Sequence, residues 1–132
     1  MKRTVEREQA FCLVFEKAFR DESSKDILEL AYEIRDFEIT DYIVDTFVGV
    51  CEKLEEIDFI ISPCLENWSI SRLPKTTLSL LRLAVYEMKF NDTVPESVTI
   101  NETVELAKKY SDEKDASYIN GVLGTISRSG NK

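Results

Sequence analysis

Between Pro74 and Phe90 the chain carries a stretch whose helical form would have almost no polar face. Leu78, Leu80, Leu81, Leu83, Ala84, Val85 and Met88 cover nearly the whole circumference at helical spacing. Ser79, Arg82, Tyr86 and Lys89 leave one narrow polar stripe. A helix of that kind has to be surrounded by others. At a rise of about 1.5 Å per residue it is roughly 25 Å long, short of a membrane span, and Arg82, Glu87 and Lys89 interrupt it. The stretch therefore predicts a central buried helix in a globular core.

The rest of the chain has the means to build that core. Its 132 residues suit one domain, 1–132, and its 43% hydrophobic and 32% charged residues are ordinary globular values. Met1 to Arg7 are largely charged, with no apolar signal core, which predicts a cytoplasmic protein. Cys12, Cys51 and Cys64 are far apart and odd in number, and His is absent, so no zinc-ligand spacing exists and no metal is expected. Cys12 and Cys51 fall in apolar helical stretches and read as buried thiols, without the His that a thiol nucleophile needs. With no Gly-rich phosphate loop either, the sequence offers no catalytic constellation and no cofactor site. A net charge of -8 argues against wholesale coating of nucleic acid, and leaves room for a local basic patch.

Along the chain, Phe11, Val14, Phe15 and Ala18 mark an amphipathic helix over Val5–Phe19. Arg3 and Arg7 fall four apart on one face and, on these residues alone, read as a solvated helix end. Ser23 or Ser24 caps a second helix with Ile27, Leu30, Ala31 and Ile34 as its buried stripe. After a link at Asp36–Thr40, Thr40 caps a long third element. Ile43, Phe47, Val50, Leu54, Ile57 and Ile61 form its seam, and Gly49 allows another helix to come close. Pro63 ends it, and Trp68, in the turn that follows, reads as a lid on the core. Pro74 opens the central helix and Asn91–Pro95 is a loop.

Thr99 and Glu102 then read as a capping box, so that a helix starts near Ile100 and buries Ile100, Val104 and Ala107. Lys108 and Lys109 fall at its C-terminal end, where the helix dipole favours them. The last helix carries Ile119, Val122, Leu123 and Ile126, with Gly121 and Gly124 close to the central helix and Ser127–Lys132 as a frayed tail. No strand-like alternation survives, so the expected fold is all-α, a bundle of about seven helices around a central buried one.

Four strings are more specific. N-W-S-I-S-R-L-P (Asn67–Pro74), L-L-R-L-A-V-Y-E (Leu80–Glu87), V-P-E-S-V-T-I-N-E-T-V-E-L-A-K-K-Y (Val94–Tyr110) and Y-I-N-G-V-L (Tyr118–Leu123) closely resemble the NusB family of bacterial transcription antitermination factors. The resemblance implies a seven-helix, non-enzymatic RNA-binding protein that pairs with ribosomal protein NusE. The pair would bind boxA-type single-stranded RNA of nascent ribosomal RNA, help the RNA polymerase antitermination complex read through terminators, and support small-subunit assembly.

The family's arginine-rich opening corresponds here to Lys2, Arg3 and Arg7, and its aromatic and polar positions near the last helix to Tyr110, Tyr118 and Asn120. Lys108 and Lys109 lie close by as candidate phosphate contacts. Phe15 stands where relatives often have Tyr, and Lys114 where some carry an acid. These residues are expected to form one RNA site from two chain segments that meet in space. Each has a blander reading as well: Tyr118 as core, Asn120 as a backbone cap, the lysines as plain surface. Thr77 and Arg82 are the candidates for the NusE side, although Glu102 or Glu105 would serve equally as an internal partner for Arg82. Two competing readings are a homodimer through the seam of the third helix and an RNA-binding domain like those fused to ribosomal RNA methyltransferases.

Overall fold

The computed structural model describes residues 2–35 and 38–129, and every regular element among them is helical. Seven α-helices follow in order: α1 (Arg3–Lys17), α2 (Ser24–Ile34), α3 (Asp41–Glu52), α4 (Leu54–Ile61), α5 (Lys75–Phe90), α6 (Glu96–Tyr110) and α7 (Glu113–Ser129). Two single 3-10 turns, Ser62–Cys64 and Ile70–Arg72, carry the chain from α4 to α5. No helix among the described residues is long and apolar enough to cross a membrane.

The helix from Lys75 is the centre, as its composition requires. It packs against α1, α3, α4, α6 and α7, while α2 closes the bundle over α1 and α3. Leu80, Leu81, Leu83, Ala84 and Val85 are at most 1% exposed. Each Leu or Val so buried is worth about 1.5–3 kcal/mol against its exposed state, which makes this face the main source of cohesion. Gly49 of α3 does bring a neighbour close: a Cβ at that position would lie 2.3 Å from the Tyr86 ring of α5.

Several expectations change. The long third element is two helices, because Lys53 leaves helical geometry at φ -101 and ψ 14. The seam runs on across the break, with Ile43, Phe47, Ile57 and Ile61 fully buried inside this chain. In α2 the buried residues are Ile27, Leu28 and Ala31, and Ile34 is exposed. Trp68 is no lid: it is 51% exposed, directly after a left-handed turn at Asn67.

Helix α6 starts at Glu96, four residues before the predicted start, with Pro95 as its N-cap, so Thr99 is a buried interior residue and not a cap. The buried face of α6 is accordingly Thr99, Thr103, Leu106 and Ala107, with Ile100 and Val104 at its edge. Neither glycine of α7 approaches the central helix; Gly121 is exposed and Gly124 faces Arg128 of its own helix. The helix continues through Ser129, beyond the predicted fraying point. Asp36 and Phe37 of the predicted link, and Gly130–Lys132 of the predicted tail, lie outside the described residues.

Candidate nucleic-acid interface

The first two turns of α1 carry the basic opening, and the structure divides its three cations by depth. Lys2 is exposed at the N-cap and makes no ion pair among the described residues. Arg3 is half exposed, bonded through Nε to Glu6 at 3.1 Å, with its guanidinium 4.1 Å above the Tyr42 ring of α3. Arg7 is buried. Its Nε and Nη2 donate to the two oxygens of Glu87 at 3.1 and 2.7 Å, and Nη1 donates to Glu102 at 3.2 Å. The sequence contained the signal: Arg7 lies three, four and seven residues before Ala10, Phe11 and Val14, on the same buried stripe. A solvated helix end was therefore the wrong reading of Arg7.

Glu87 completes this buried centre by accepting two more bonds, from Tyr42 at 2.7 Å and Thr99 at 2.8 Å. Burial by itself pushes the Glu87 carboxyl up; the donors Arg7 and Tyr42, the Arg7 charge and Thr99 outweigh it and hold the group below its ordinary value. The Tyr42 hydroxyl is pushed well up by burial and by the Glu87 charge. Tyr42, Glu87 and Thr99 had no place among the sequence candidates.

From this centre onward, long side chains of α1 and α6 bridge the two helices, with the contacts advancing in the same chain direction on both. Thr4 donates to Glu102 at 2.9 Å, and one turn later Glu8 accepts from Lys109 at 2.6 Å and from the Tyr110 hydroxyl. The Tyr110 ring, 40% exposed, lies 5.0 Å from Phe11, which continues through Phe15 to the exposed Phe19 at centroid spacings of 6.0 and 4.9 Å. Burial pushes Glu8 up, but its bonds from Lys109 and Tyr110 outweigh this and leave it below its ordinary value, so Glu8 is a carboxylate at neutral pH. Of the residues predicted to form one site, Lys109 and Tyr110 reach α1 here, through Glu8, and among the described residues Lys2 and Arg3 do not reach α6. Their cations arrive accompanied by carboxylates.

The α7 residues fall on two different sides. Asn120 lines a groove of about 540 Å³ between α6 and α7 together with Lys108, whose Nζ is 3.2 Å from Glu105; Glu102 and Glu113 add further negative charge there. Tyr118, two residues from Asn120 and hence on another face, lines a separate hollow and donates to the Glu66 carbonyl at 3.3 Å. It is half-buried, neither core nor free platform. Asn120 is exposed and caps nothing inside the bundle. Lys114 stands exposed in the first turn of α7, without an ion pair among the described residues.

Of the two candidates for a protein partner, one is buried and the other is paired within the chain. Thr77 is 3% exposed. Arg82 gives Nε and Nη2 to Asp58 of α4 at 2.9 and 2.8 Å, so neither Glu102 nor Glu105 is its partner. Cys12, Cys51 and Cys64 are half-buried free thiols, and burial pushes Cys12 and Cys51 up, away from nucleophile chemistry.

Comparison with known proteins agrees over nearly the full length. The model of the NusB family matches residues 4–128. A Clostridium botulinum protein named transcription antitermination protein NusB is 43% identical over 142 aligned residues, covering 96% of this chain and 99% of its own. The protein of that name from Listeria monocytogenes is 45% identical over 126 residues, covering 96% of each chain. Among solved structures, T. maritima NusB superposes with a TM-score of 0.85 at 36% identity, covering 97% of this chain and 92% of that one. A structure of the antitermination factors NusB and NusE in complex with dsRNA superposes with a TM-score of 0.83 at 30% identity, covering 98% and 99%. The chain belongs to the NusB family.

Proposed function

We propose that the whole chain, residues 1–132, acts as one non-catalytic, cytoplasmic RNA-binding unit that joins ribosomal protein NusE in transcription antitermination on boxA-type RNA. The junction of α1 with α6 carries this reading. There Lys109 lies 5.6 Å from the ring of Tyr110, which begins a row of aromatic rings that includes Phe15, while Lys2 and Arg3 stand at the opening of α1. Cations position a phosphate backbone, and exposed rings add about 1–3 kcal/mol per stacked base. Lys114, Lys108 and Asn120 lie along the adjoining α6–α7 edge as further contacts. Arg7 serves that surface from below, by fixing α1 on the central helix.

The carboxylates that accompany these cations, and the net charge of -8, make the isolated chain a weak RNA binder. NusE therefore supplies much of the affinity. The relative seen with NusE holds double-stranded RNA, so the test includes both RNA forms. Equilibrium titration at several salt concentrations should give a shallow log–log slope of roughly -2, from three phosphates at about 0.7 each. A slope several times steeper would place RNA on a basic surface other than this junction. The alternative of a homodimer through the α3–α4 seam loses its surface, since that seam is filled from within the chain.

A further inference from the structure

On a different side of α1 from the α6 junction, its last turn and the α3–α4 joint enclose a hollow of about 330 Å³. Its floor is apolar and includes Val50 and Leu54, and the half-buried Cys51 forms part of the wall. Lys17, Lys75 and Arg82 stand around it, and no carboxylate lines it. That is unusual in a chain with 25 acidic and 17 basic residues. The α6–α7 groove, by contrast, is lined by three carboxylates and one lysine.

Arg82 is partly neutralised by Asp58, which takes Nε and Nη2, while Nη1 bonds to no described residue. Among the described residues neither Lys75 nor Lys17 makes an ion pair; Lys17 donates to the Arg20 carbonyl at 3.4 Å and feels the charge of Glu22. The hollow thus offers three positively charged side chains beside an apolar patch. An inorganic anion would leave that floor empty, and an uncharged apolar ligand would leave the cations unanswered.

We propose that this hollow binds a small carboxylate with an apolar tail, the tail on Val50 and Leu54 and the head between Lys17, Lys75 and Arg82. At the ~30 Å³ that a water occupies in the liquid, the space suits about ten non-hydrogen atoms, the size of octanoate. Such a ligand would join α1, α3, α4 and α5, and would shield Cys51.

The test uses the intact protein and octanoate, with acetate and octylammonium as controls. Calorimetry should show one octanoate site, no acetate binding and markedly weaker octylammonium binding. Alkylation of Cys51, followed by mass spectrometry, should slow on adding octanoate while Cys12 keeps its rate. The double variant Lys17→Ala/Lys75→Ala, at exposed and half-exposed positions that leave the core intact, should bind octanoate about tenfold more weakly. Equal binding of octanoate and octylammonium, an unprotected Cys51, or full affinity in the double variant would each overturn the proposal.

Discussion

Arg7 and Glu87, 80 residues apart in sequence, meet as a two-point ion pair of 2.7 and 3.1 Å at 3% and 1% side-chain exposure. Tyr42 and Thr99 donate to the same carboxylate, so α1, α3, α5 and α6 are joined at one buried charge. A buried pair is weak evidence for net stabilisation, yet removing one partner leaves the other uncompensated.

Arg7→Ala should therefore lower unfolding stability by about 3–5 kcal/mol in urea melts. Adding Glu87→Ala to it should cost much less than the sum of the two single changes. A loss below about 1 kcal/mol for Arg7→Ala would show that the pair does not hold the helices.

The same centre sets an acid limit. Glu87 lies below its ordinary value of 4.5 in the folded chain, so the unfolded chain binds its proton more readily. Its contribution is complete above the unfolded value and is lost as pH falls through the folded one. Urea midpoints measured from about pH 7 down to about pH 3 should drop on the acid side, and Glu87→Gln should flatten that drop.

Gly49→Ala gives a test of packing against propensity. Alanine favours a helix over glycine by about 1 kcal/mol, but its Cβ would stand 2.3 Å from Tyr86, whose ring stacks on Phe90 at 5.8 Å. Overpacking of this kind costs about 1–3 kcal/mol, so the variant should be less stable overall. Combined with Tyr86→Ala, which removes the clash, the alanine should become stabilising.

Lys114 opens α7 between Glu113 and Asp115, exposed and without an ion pair among the described residues. Lys114→Glu should leave stability within about 0.5 kcal/mol and weaken RNA binding by the NusE heterodimer several-fold. Unchanged RNA binding would remove this turn from the interface.

The helical period was legible wherever one face is apolar, and the central helix was legible because it has hardly any other face. The break at Lys53 was not, since a single residue leaves helical geometry without Gly or Pro to mark it. Thr99 misled because T-x-x-E occurs within a helix that Pro95 had already started; its hydroxyl answers Glu87, a tertiary partner that local spacing does not reveal.

At the site, the sequence announced which types of residue were present and not which of them would be paired. Arg7 and Lys109 are both basic, but their partners Glu87 and Glu8 come from other helices. Only the packing of α1 on α5 and α6 decides that one is interior and the other surface.

The proposed RNA surface lies at the α1–α6 junction and depends on the NusE partner. The most direct measurement is a fluorescence titration of boxA-type single-stranded RNA against the protein alone, its heterodimer with NusE, and the Lys2→Ala/Lys109→Ala heterodimer. Lysine variants at the surface are preferable to Arg7→Ala, whose effect on RNA would be mixed with loss of fold. Tight binding by the heterodimer, weak binding by the protein alone, and a loss of about three- to tenfold in the double variant are the predicted results. A heterodimer that forms and ignores the RNA, or a double variant with undiminished affinity, would contradict the account.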